Sequence, residues 1–386
     1  MQPFELRTPR VLLATVTPGD VDRITELCQD PAIQYWVTIP VPYTREVGAA
    51  FVTEAVPAGW ASGRELTWAI REPESRKIVG MIGLTDEGGR VAEVGFWLAP
   101  SSRGNGIASE AVRLVAAYAF ATEGLDARYL RWRAMAGNWA SRRVAWATGF
   151  RVQDARIPGL VDQRGEPADG WLGTLRAGEP TRPRHRWLSV PRVEADGVML
   201  RSFEPTDADA VVEAGNDPLS QHWLAALPSP YTRADAEQFI DTREDDHASA
   251  TALHAAAASV DGASLLGAFS LMGLHRIDSG AEVGYWVHPA ARGTGVATTA
   301  VRLLVEHAFT PEDGGGLGLD RLIVAHAEGN DASRAVIERN GFHRFGVERA
   351  AAHLRGGIVV DHWWYDLLAD DWRRAAQRHR RTVTST

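Results

Sequence analysis

The chain repeats itself over the length of a whole domain. The stretch EVGFWLAPSSRGNGIASEAVRLVAAYAF, which begins at Glu93, returns as EVGYWVHPAARGTGVATTAVRLLVEHAF from Glu282, 189 residues later. The heptapeptide DPAIQYW from Asp30 returns as DPLSQHW from Asp217, 187 residues later. A displacement that stays nearly constant over such a distance indicates a duplicated domain, because a solenoid would repeat every ~20–50 residues. We therefore expect two homologous domains.

The boundary between the two copies is predicted from a cluster of prolines among polar residues, Pro180, Pro183 and Pro191. Proline disfavours both helix interiors and central strands, so such a cluster is typical of a connection. The sequence predicts an N-terminal domain at 1–179, a linker at 180–192 and a C-terminal domain at 193–386.

Each copy alternates strand-like runs with a helical pattern, which predicts an α/β fold with a mixed sheet. In the first copy, residues 67–70, 79–84 and 93–98 are the predicted strands. Apolar residues recur at helical spacing over residues 106–120. A glycine-containing loop therefore joins a strand to the start of a long helix.

Charge and composition restrict the partners. The formal net charge is −8, which does not favour binding to a nucleic-acid backbone. The single cysteine, Cys28, permits neither an intramolecular disulfide nor a cysteine zinc site, and it suits a reducing cytoplasm. No apolar run is long enough to cross a membrane, and the histidines lack HExxH spacing. We expect a cytoplasmic monomer or homodimer with no metal, nucleic-acid or membrane partner.

The loop between strand and helix is rich in small residues in both copies, RGNGIA from Arg103 and RGTGVA from Arg292. The first N–H groups of a helix lack internal partners and carry the positive end of its dipole, so a pyrophosphate is a natural ligand there. The loop matches neither GxGxxG nor GxxxxGK[ST], which argues against the commoner nucleotide sites. For one copy alone, an ordinary tight turn is an equally good interpretation.

The combined pattern resembles the GNAT superfamily of N-acetyltransferases. It consists of R-x-x-G-x-A after a strand E-V-G-[FY]-W, followed by N-x-x-S and, after seven intervening residues, G-F. More narrowly it is similar to the branch that contains the Rim-type ribosomal-protein N-terminal acetyltransferases, and it covers residues 12–173 and 198–372. The resemblance implies two tandem folds, each a mostly antiparallel, twisted sheet splayed open between its fourth and fifth strands. It also implies an acetyl-CoA-dependent enzyme that acetylates a primary amine.

The resemblance further implies which residues bind acetyl-CoA. In the second copy they are Val283, Tyr285, Val287, Arg292, Gly293, Thr294, Gly295, Val296, Ala297 and Asn330. In the first copy they are Phe96, Leu98, Arg103, Gly104, Asn105, Gly106, Ile107, Ala108 and Asn138. Each asparagine could equally cap the helix that follows it, and the two roles are compatible.

Catalysis in such folds is direct attack of the amine on the acyl carbon, without a covalent enzyme intermediate. The strand glutamates Glu93 and Glu282 match the position of the base that removes the ammonium proton, with a solvated strand carboxylate as the alternative. Ser141 and Ser333 match a serine that protonates or positions the departing thiolate, with helix capping as the alternative.

The two copies differ at their ends. The second closes with DHWWYDLLADDW from Asp361, similar to the ending of Rim-type enzymes, and its Tyr365 is a predicted catalytic residue that holds the amine or donates toward sulfur. In the first copy Gly173 stands at the matching position, which puts that acceptor pocket in doubt. We therefore expect the C-terminal domain to be the better catalyst.

The acceptor side is rich in aromatic residues, with Tyr35, Trp36 and Tyr43 in the first copy and His222, Trp223 and Tyr231 in the second. They could hold a cationic or apolar amine, or form the core beneath the early helices. The acceptor is expected to be a peptide or protein N-terminus or a small-molecule amine. A non-catalytic acyl-CoA-binding or scaffold protein is the alternative function.

Overall fold

A computed structural model describes residues 1–162 and 165–383. The chain divides into two compact units, Met1–Arg184 and a second that begins at His185. The division falls within the predicted linker, so residues 180–184 belong to the first unit and residues 185–192 to the second. Arg184 donates from Nε to the carbonyl of Gly149 in the first unit at 2.7 Å. Arg186 donates from Nη1 to the carbonyl of Gly316 in the second at 2.8 Å.

A nine-stranded sheet forms the centre of the first unit. Its strands are β1 (Leu6–Arg7), β2 (Leu12–Ala14), β3 (Glu65–Arg71), β4 (Ile78–Gly88), β5 (Val91–Leu98), β6 (Tyr129–Met135), β7 (Arg151–Val152), β8 (Ile157–Val161) and β9 (Pro167–Arg176). Their order is β1-β2-β3-β4-β5-β6-β9-β7, with β8 also on β9. All neighbours are antiparallel except β5 and β6.

The helices of the first unit are α1 (Val21–Leu27), α2 (Pro31–Trp36), α3 (Arg45–Ala50), α4 (Val56–Ser62), α5 (Ile107–Phe120) and α6 (Trp139–Ala147), with 3-10 turns at Pro18–Asp20 and Pro100–Ser102. A π-helical turn, Phe51–Ala55, joins α3 to α4, so that residues 45–62 form one continuous helix. Helix α5 buries Ala111, Val115 and Ala119 at helical spacing against the sheet.

The second unit has an eight-stranded sheet of the same design. Its strands are β10 (Val193–Ala195), β11 (Val198–Arg201), β12 (Leu253–Ser259), β13 (Leu265–Met272), β14 (Gly280–Val287), β15 (Arg321–Ala327), β16 (His343–His353) and β17 (Val359–Leu368). Their order is β10-β11-β12-β13-β14-β15-β17-β16, and only β14 and β15 are parallel.

The helices of the second unit are α7 (Ala208–Asn216), α8 (Pro218–Trp223), α9 (Arg233–Ser249), α10 (Val296–Phe309), α11 (Asp331–Arg339) and α12 (Ala369–Val383), with 3-10 turns at Pro205–Asp207, Pro289–Ala291 and Glu312–Gly314. Helix α9 corresponds to the continuous helix 45–62. Across residues 1–162 and 165–383, no helix is long and apolar enough to cross a membrane.

Both sheets open at their parallel pair. Strand β5 pairs with β6 from Val91 to Glu93 and then leaves it, although β5 continues to Leu98. Strand β14 pairs with β15 from Gly280 to Glu282 and then leaves it in the same way. The α/β class and the two mixed sheets with flanking helices are therefore confirmed. The split lies between the fifth and sixth strands of each unit and not between the predicted fourth and fifth, because each sheet begins with a short hairpin of two strands, β1–β2 or β10–β11. The ladder ends at the predicted base in each copy, so each glutamate lies at the vertex of a split.

Candidate active site

The glycine loops leave the start of a long helix open in both units. Gly106 and Gly295 precede α5 and α10 with φ of 77° and 90°, and no side chain caps either helix. A Cβ at either position would meet nothing within 4 Å, which leaves the backbone accessible. Only glycine adopts this backbone conformation without strain. The uncapped N–H groups fit the pyrophosphate of CoA.

The predicted loop arginines serve a second purpose. Arg103 reaches Asp30 at 2.6 Å, and Arg292 reaches Asp217 at 2.6 Å. Each aspartate also caps a helix, since Asp30 accepts from the N–H of Ile33 and Asp217 from that of Ser220. Burial opposes ionisation of both aspartates, but these contacts hold the pKa of each below its ordinary value. The ion pairs therefore tie the glycine loop to the repeated D-P motif.

The repetition of D-P in the sequence was a usable signal for this contact. The proline at the first helical position explains why the motif starts a helix. The partner of the aspartate lies more than seventy residues away in both copies. Spacing alone could not identify that partner.

The predicted cofactor residues on the splayed strands have different surroundings. Val283 packs in the core beneath α10, and Tyr285 packs against the same cluster. Leu98 accepts at its carbonyl from Arg103 Nε at 3.1 Å, and Phe96 lines a cavity. Val287 is half-buried beside the same core.

Ser333 is paired with Tyr285 at the second split. The two hydroxyls lie 2.9 Å apart. The cap of α11 is Asn330, which accepts from the N–H of Ser333 at 3.1 Å, so the serine hydroxyl is not used for capping. Burial raises the pKa of Tyr285 to about 12, and the tyrosine therefore stays a proton donor at neutral pH. The sequence indicated both residues but not their contact.

The first unit builds this position differently. Asn138 caps α6 and accepts from the N–H of Ser141 at 3.2 Å. The hydroxyl of Ser141 accepts from Trp132 Nε1 at 3.0 Å. At the position of Tyr285 the first copy has Phe96. Ser141 therefore lacks the tyrosine hydroxyl that Ser333 contacts.

Tyr365 lies in the core, with 3% of its surface exposed. Its hydroxyl lies 3.4 Å from Nε2 of His326, and burial raises its pKa. Tyr365 stands opposite Val324 across the β15–β17 ladder. In the first unit the large and the small side chain have changed strands: Trp132 on β6 stands opposite Gly173 on β9. A Cβ on Gly173 would lie 3.0 Å from that indole. The glycine therefore makes room for a tryptophan.

The two strand glutamates have opposite electrostatic surroundings. Glu93 forms an ion pair with Nε of Arg133 at 2.6 Å. Glu282 has no such partner among the described residues, and burial raises its pKa against the weaker opposing field of Arg276. The strand register explains the difference. The residues opposite the glutamates are Arg131 on β6 and Ile323 on β15; two residues further along, β6 has Arg133 where β15 has Ala325.

The acceptor-side faces of the two sheets also differ. In the first unit a cavity of about 750 Å³ lies between the sheet and the helices α1 and 45–62. In the second unit the cavity found on this face measures about 30 Å³ and lies beside Tyr231 and Trp286. Polar side chains occupy the face nearby. His254 contacts Ser270 Oγ at 2.7 Å through Nδ1 and Asp246 at 3.0 Å through Nε2.

The predicted aromatic residues are divided between surface and core. Tyr43 and Tyr231 are buried in the hydrophobic clusters of their units. Tyr43 also lines the cavity of the first unit. Tyr35 packs on Trp36 with its own ring largely exposed.

Comparison with known families identifies the class of protein. The family model described as Acetyltransferase (GNAT) domain matches residues 10–151 and, a second time, residues 198–343. The chain belongs to this family, with two domains of it in tandem. It is accordingly an acetyl-CoA-dependent N-acetyltransferase.

Individual relatives span one of the two copies. The "Putative ribosomal N-acetyltransferase YdaF" of Bacillus subtilis is 33% identical over 179 residues, which is 45% of this chain and 93% of that protein. Among solved structures, Mycobacterium smegmatis RimJ in complex with a CoA disulfide is 20% identical, with a TM-score of 0.42, and covers 48% of this chain and 89% of its own. The ribosomal L7/L12 alpha-N-protein acetyltransferase RimL in complex with CoA is 19% identical, with a TM-score of 0.41. The match covers 47% of this chain and 98% of RimL.

Proposed function

We propose that the second domain acetylates a primary amine by direct attack in a ternary complex. Acetyl-CoA supplies the acyl group. Glu282 accepts a proton from the ammonium group of the acceptor, and the free amine forms the new bond to the acyl carbon. The bond from that carbon to sulfur breaks, and the thiolate that leaves takes a proton from the Tyr285–Ser333 pair. The proton that the attacking nitrogen loses as the amide forms replaces it.

The contrast between the two glutamates supports this assignment. A general base works best when its pKa approaches the operating pH, and burial moves Glu282 in that direction. The Glu93 carboxylate is instead engaged by Nε of Arg133 at 2.6 Å, so one of its oxygens is already occupied by a guanidinium. Both glutamates lie at the vertex of a split, so their surroundings distinguish them better than their positions do.

The acceptor that we propose is a peptide or protein N-terminus or a small-molecule amine. The first possibility is supported by the relative YdaF, whose name assigns it to ribosomal N-acetylation, and by its 33% identity. The role predicted for Tyr365 remains part of the proposal, although the hydroxyl that contacts Ser333 belongs to Tyr285.

Release of free thiol from acetyl-CoA, measured with a panel of peptides and small amines, tests the proposal. Thiol release that depends on the amine, with acetylated product confirmed by mass spectrometry, is the expected result. If no amine stimulates thiol release while CoA still binds, the chain is a non-catalytic acyl-CoA-binding protein instead.

A further inference from the structure

The tip of the last hairpin of the second domain is fastened to the chain that follows α8. Residues 354–358 join β16 to β17, and the N–H of Leu354 donates to the carbonyl of Ile358 at 2.8 Å. Ala352 and Leu354 are buried, whereas Ile358 is exposed. The tip therefore packs with one side against the domain and leaves the other side in solvent.

Arg355 makes the attachment. Its Nε donates to the carbonyl of Gln221 at 3.0 Å, and its Nη2 donates to those of Ala225 at 3.3 Å and Leu227 at 2.6 Å. Its backbone N–H donates to the carbonyl of His222 at 3.2 Å. Carbonyls at the end of a helix lack internal partners and are therefore available to a guanidinium. This arginine holds the end of α8 and the turn after it in one position.

The fastened segment, residues 221–227, is also part of the wall of the acceptor-side cavity in the second domain. Leu224 and Leu227 line that cavity together with Trp286 of β14. The cavity measures about 30 Å³, which is room for about two water molecules. A group as large as a leucine side chain therefore cannot enter unless the segment moves.

The corresponding segment of the first domain lies beside a much larger space. Residues 37–40 follow Trp36 as residues 224–228 follow Trp223 in the second copy. Residues 37–40 all line the cavity of about 750 Å³. The same fold therefore holds this segment in an open arrangement in one domain and in a closed arrangement in the other.

The domain with the open arrangement lacks the arginine. The cross-strand pairs Leu160–Ala168 and Ala352–Val360 have the same place in the two hairpins, and both residues of the first pair are displaced by 192 from those of the second. This displacement puts Gln163, which lies outside the described residues, at the position of the arginine. A glutamine side chain has no charge and two N–H donors, whereas a guanidinium has five.

We propose that Arg355 is a specificity-determining residue of the second domain, which holds residues 221–227 in place and so admits only amines with a small group on the carbon that bears nitrogen. The inference rests on the proposed function, since it concerns the amine that this domain acetylates. A lysine could not replace the arginine fully, because only the planar guanidinium donates to several carbonyls at fixed positions.

Acetyl transfer to glycinamide, leucinamide and phenylalaninamide, which differ only in their side chains, tests the proposal. All chains are full length and carry Gly106→Glu, which puts a negative charge into the glycine loop of the first domain and leaves the second domain as the source of activity. With Arg355 present, kcat/KM should be highest for glycinamide. Arg355→Gln, which introduces the residue of the first domain, should raise the ratio of kcat/KM for leucinamide to that for glycinamide at least about tenfold.

This ratio separates specificity from stability. An arginine that only stabilises the fold would lower the rates for all three amides together, and an unchanged ratio in Arg355→Gln overturns the proposal. The matched control is Arg302→Gln on α10, which removes a contact to Asp196 at 2.7 Å and should leave the ratio unchanged. Absence of acetyl transfer to all three amides in every variant also overturns the proposal, while thiol release with the wider panel decides separately whether the domain acetylates any amine.

Two further measurements test the steps of the argument. Leu227→Ala enlarges the cavity while the arginine stays in place, and it should raise the same ratio. Hydrogen exchange, which needs no substrate, should become faster at residues 221–227 in Arg355→Gln, change less in Arg355→Lys and stay at the wild-type rate in Arg302→Gln. Wild-type exchange of this segment in Arg355→Gln would show that the arginine does not hold it, and would overturn the proposal.

Discussion

At the scale of single residues, the two halves of the duplication have diverged in the partners of shared side chains. Glu93 and Glu282 occupy the same strand position, yet of the two only Glu93 forms an ion pair with an arginine among the described residues. Ser141 and Ser333 follow the same capping asparagine, yet one accepts from an indole and the other contacts a tyrosine hydroxyl. Because these partners come from other strands, the chemistry of each position depends on substitutions elsewhere.

Glu282 should cost the fold stability at neutral pH. Its pKa is raised in the folded chain, so folding favours its protonated form. The penalty is absent below the ordinary pKa of 4.5 and grows as pH rises through the raised value. Glu282→Gln should therefore raise the thermal midpoint near pH 8 more than near pH 4. Glu93→Gln, which removes an ion pair, should give no such gain. A Glu282→Gln midpoint that does not rise with pH relative to wild type would show that the carboxylate is well solvated.

The hydroxyl of Tyr285 should matter more to turnover than that of Tyr365. Tyr285→Phe leaves Ser333 without its hydroxyl partner and reproduces Phe96 of the first domain. We expect kcat to fall by about 10-fold or more with little change in KM for acetyl-CoA. Tyr365→Phe removes a hydroxyl whose contact is His326 and should cost less. Steady-state kinetics of the two variants tests this. A larger loss of kcat in Tyr365→Phe than in Tyr285→Phe would assign stabilisation of the thiolate to Tyr365.

At the scale of elements, the helix starts after the glycine loops are predicted to hold CoA in both domains. Gly295→Glu adds a side chain at φ 90° and a negative charge at the phosphate position. Titration with CoA should give two equivalents per chain for wild type and one for Gly295→Glu. Gly106→Glu should likewise bind one equivalent. Gly197→Glu, at φ 79° in an open turn, is the control for strain. If the wild-type chain binds about one equivalent of CoA and Gly295→Glu binds the same amount, the second loop does not bind CoA.

Local patterns predicted the elements well and their contacts poorly. The helical spacing from residue 106 and the strand-like runs correspond to α5, β3, β4 and β5. The π-helical turn was not predicted, because one inserted residue leaves no local signal except a change of repeat displacement from 188 to 187 between the ends of the helix. The Asp30–Arg103 pair and the Tyr285–Ser333 contact join distant segments. The repeated motifs marked some of these residues, but no local pattern could identify which residue each of them contacts.

At the scale of the whole molecule, the two domains of the duplication differ in the size of their cavities and in the surroundings of their strand glutamates. The first has the larger cavity and a glutamate held by arginine. The second has a cavity of only about 30 Å³ on this face, and its half-buried Glu282 forms no ion pair among the described residues. The sequence predicted from Gly173 and Tyr365 that the C-terminal domain is the better catalyst, and this stays a prediction. The asymmetry that the structure itself shows is a different one. Its main physical expression lies in the surroundings of the glutamates and in the cavity, where cross-strand packing decides the outcome.

The two domains should contribute unequally to acetyl transfer. Both have the loop, the strand glutamate, the asparagine and the serine, so the ranking depends on the base and on the acceptor side. Removal of one general base costs about 10²–10⁴ in rate. We expect Glu282→Gln, alone or combined with Tyr365→Phe, to abolish most release of thiol from acetyl-CoA, measured with the peptide or amine that the wild-type chain acetylates fastest. Glu93→Gln should leave most of it, because the Glu93 carboxylate is already engaged in an ion pair with Arg133. Equal losses would mean two working sites, and a larger loss from Glu93→Gln would assign catalysis to the first domain. If neither substitution changes the rate, proton removal is served by another group or by water, and both glutamates are structural.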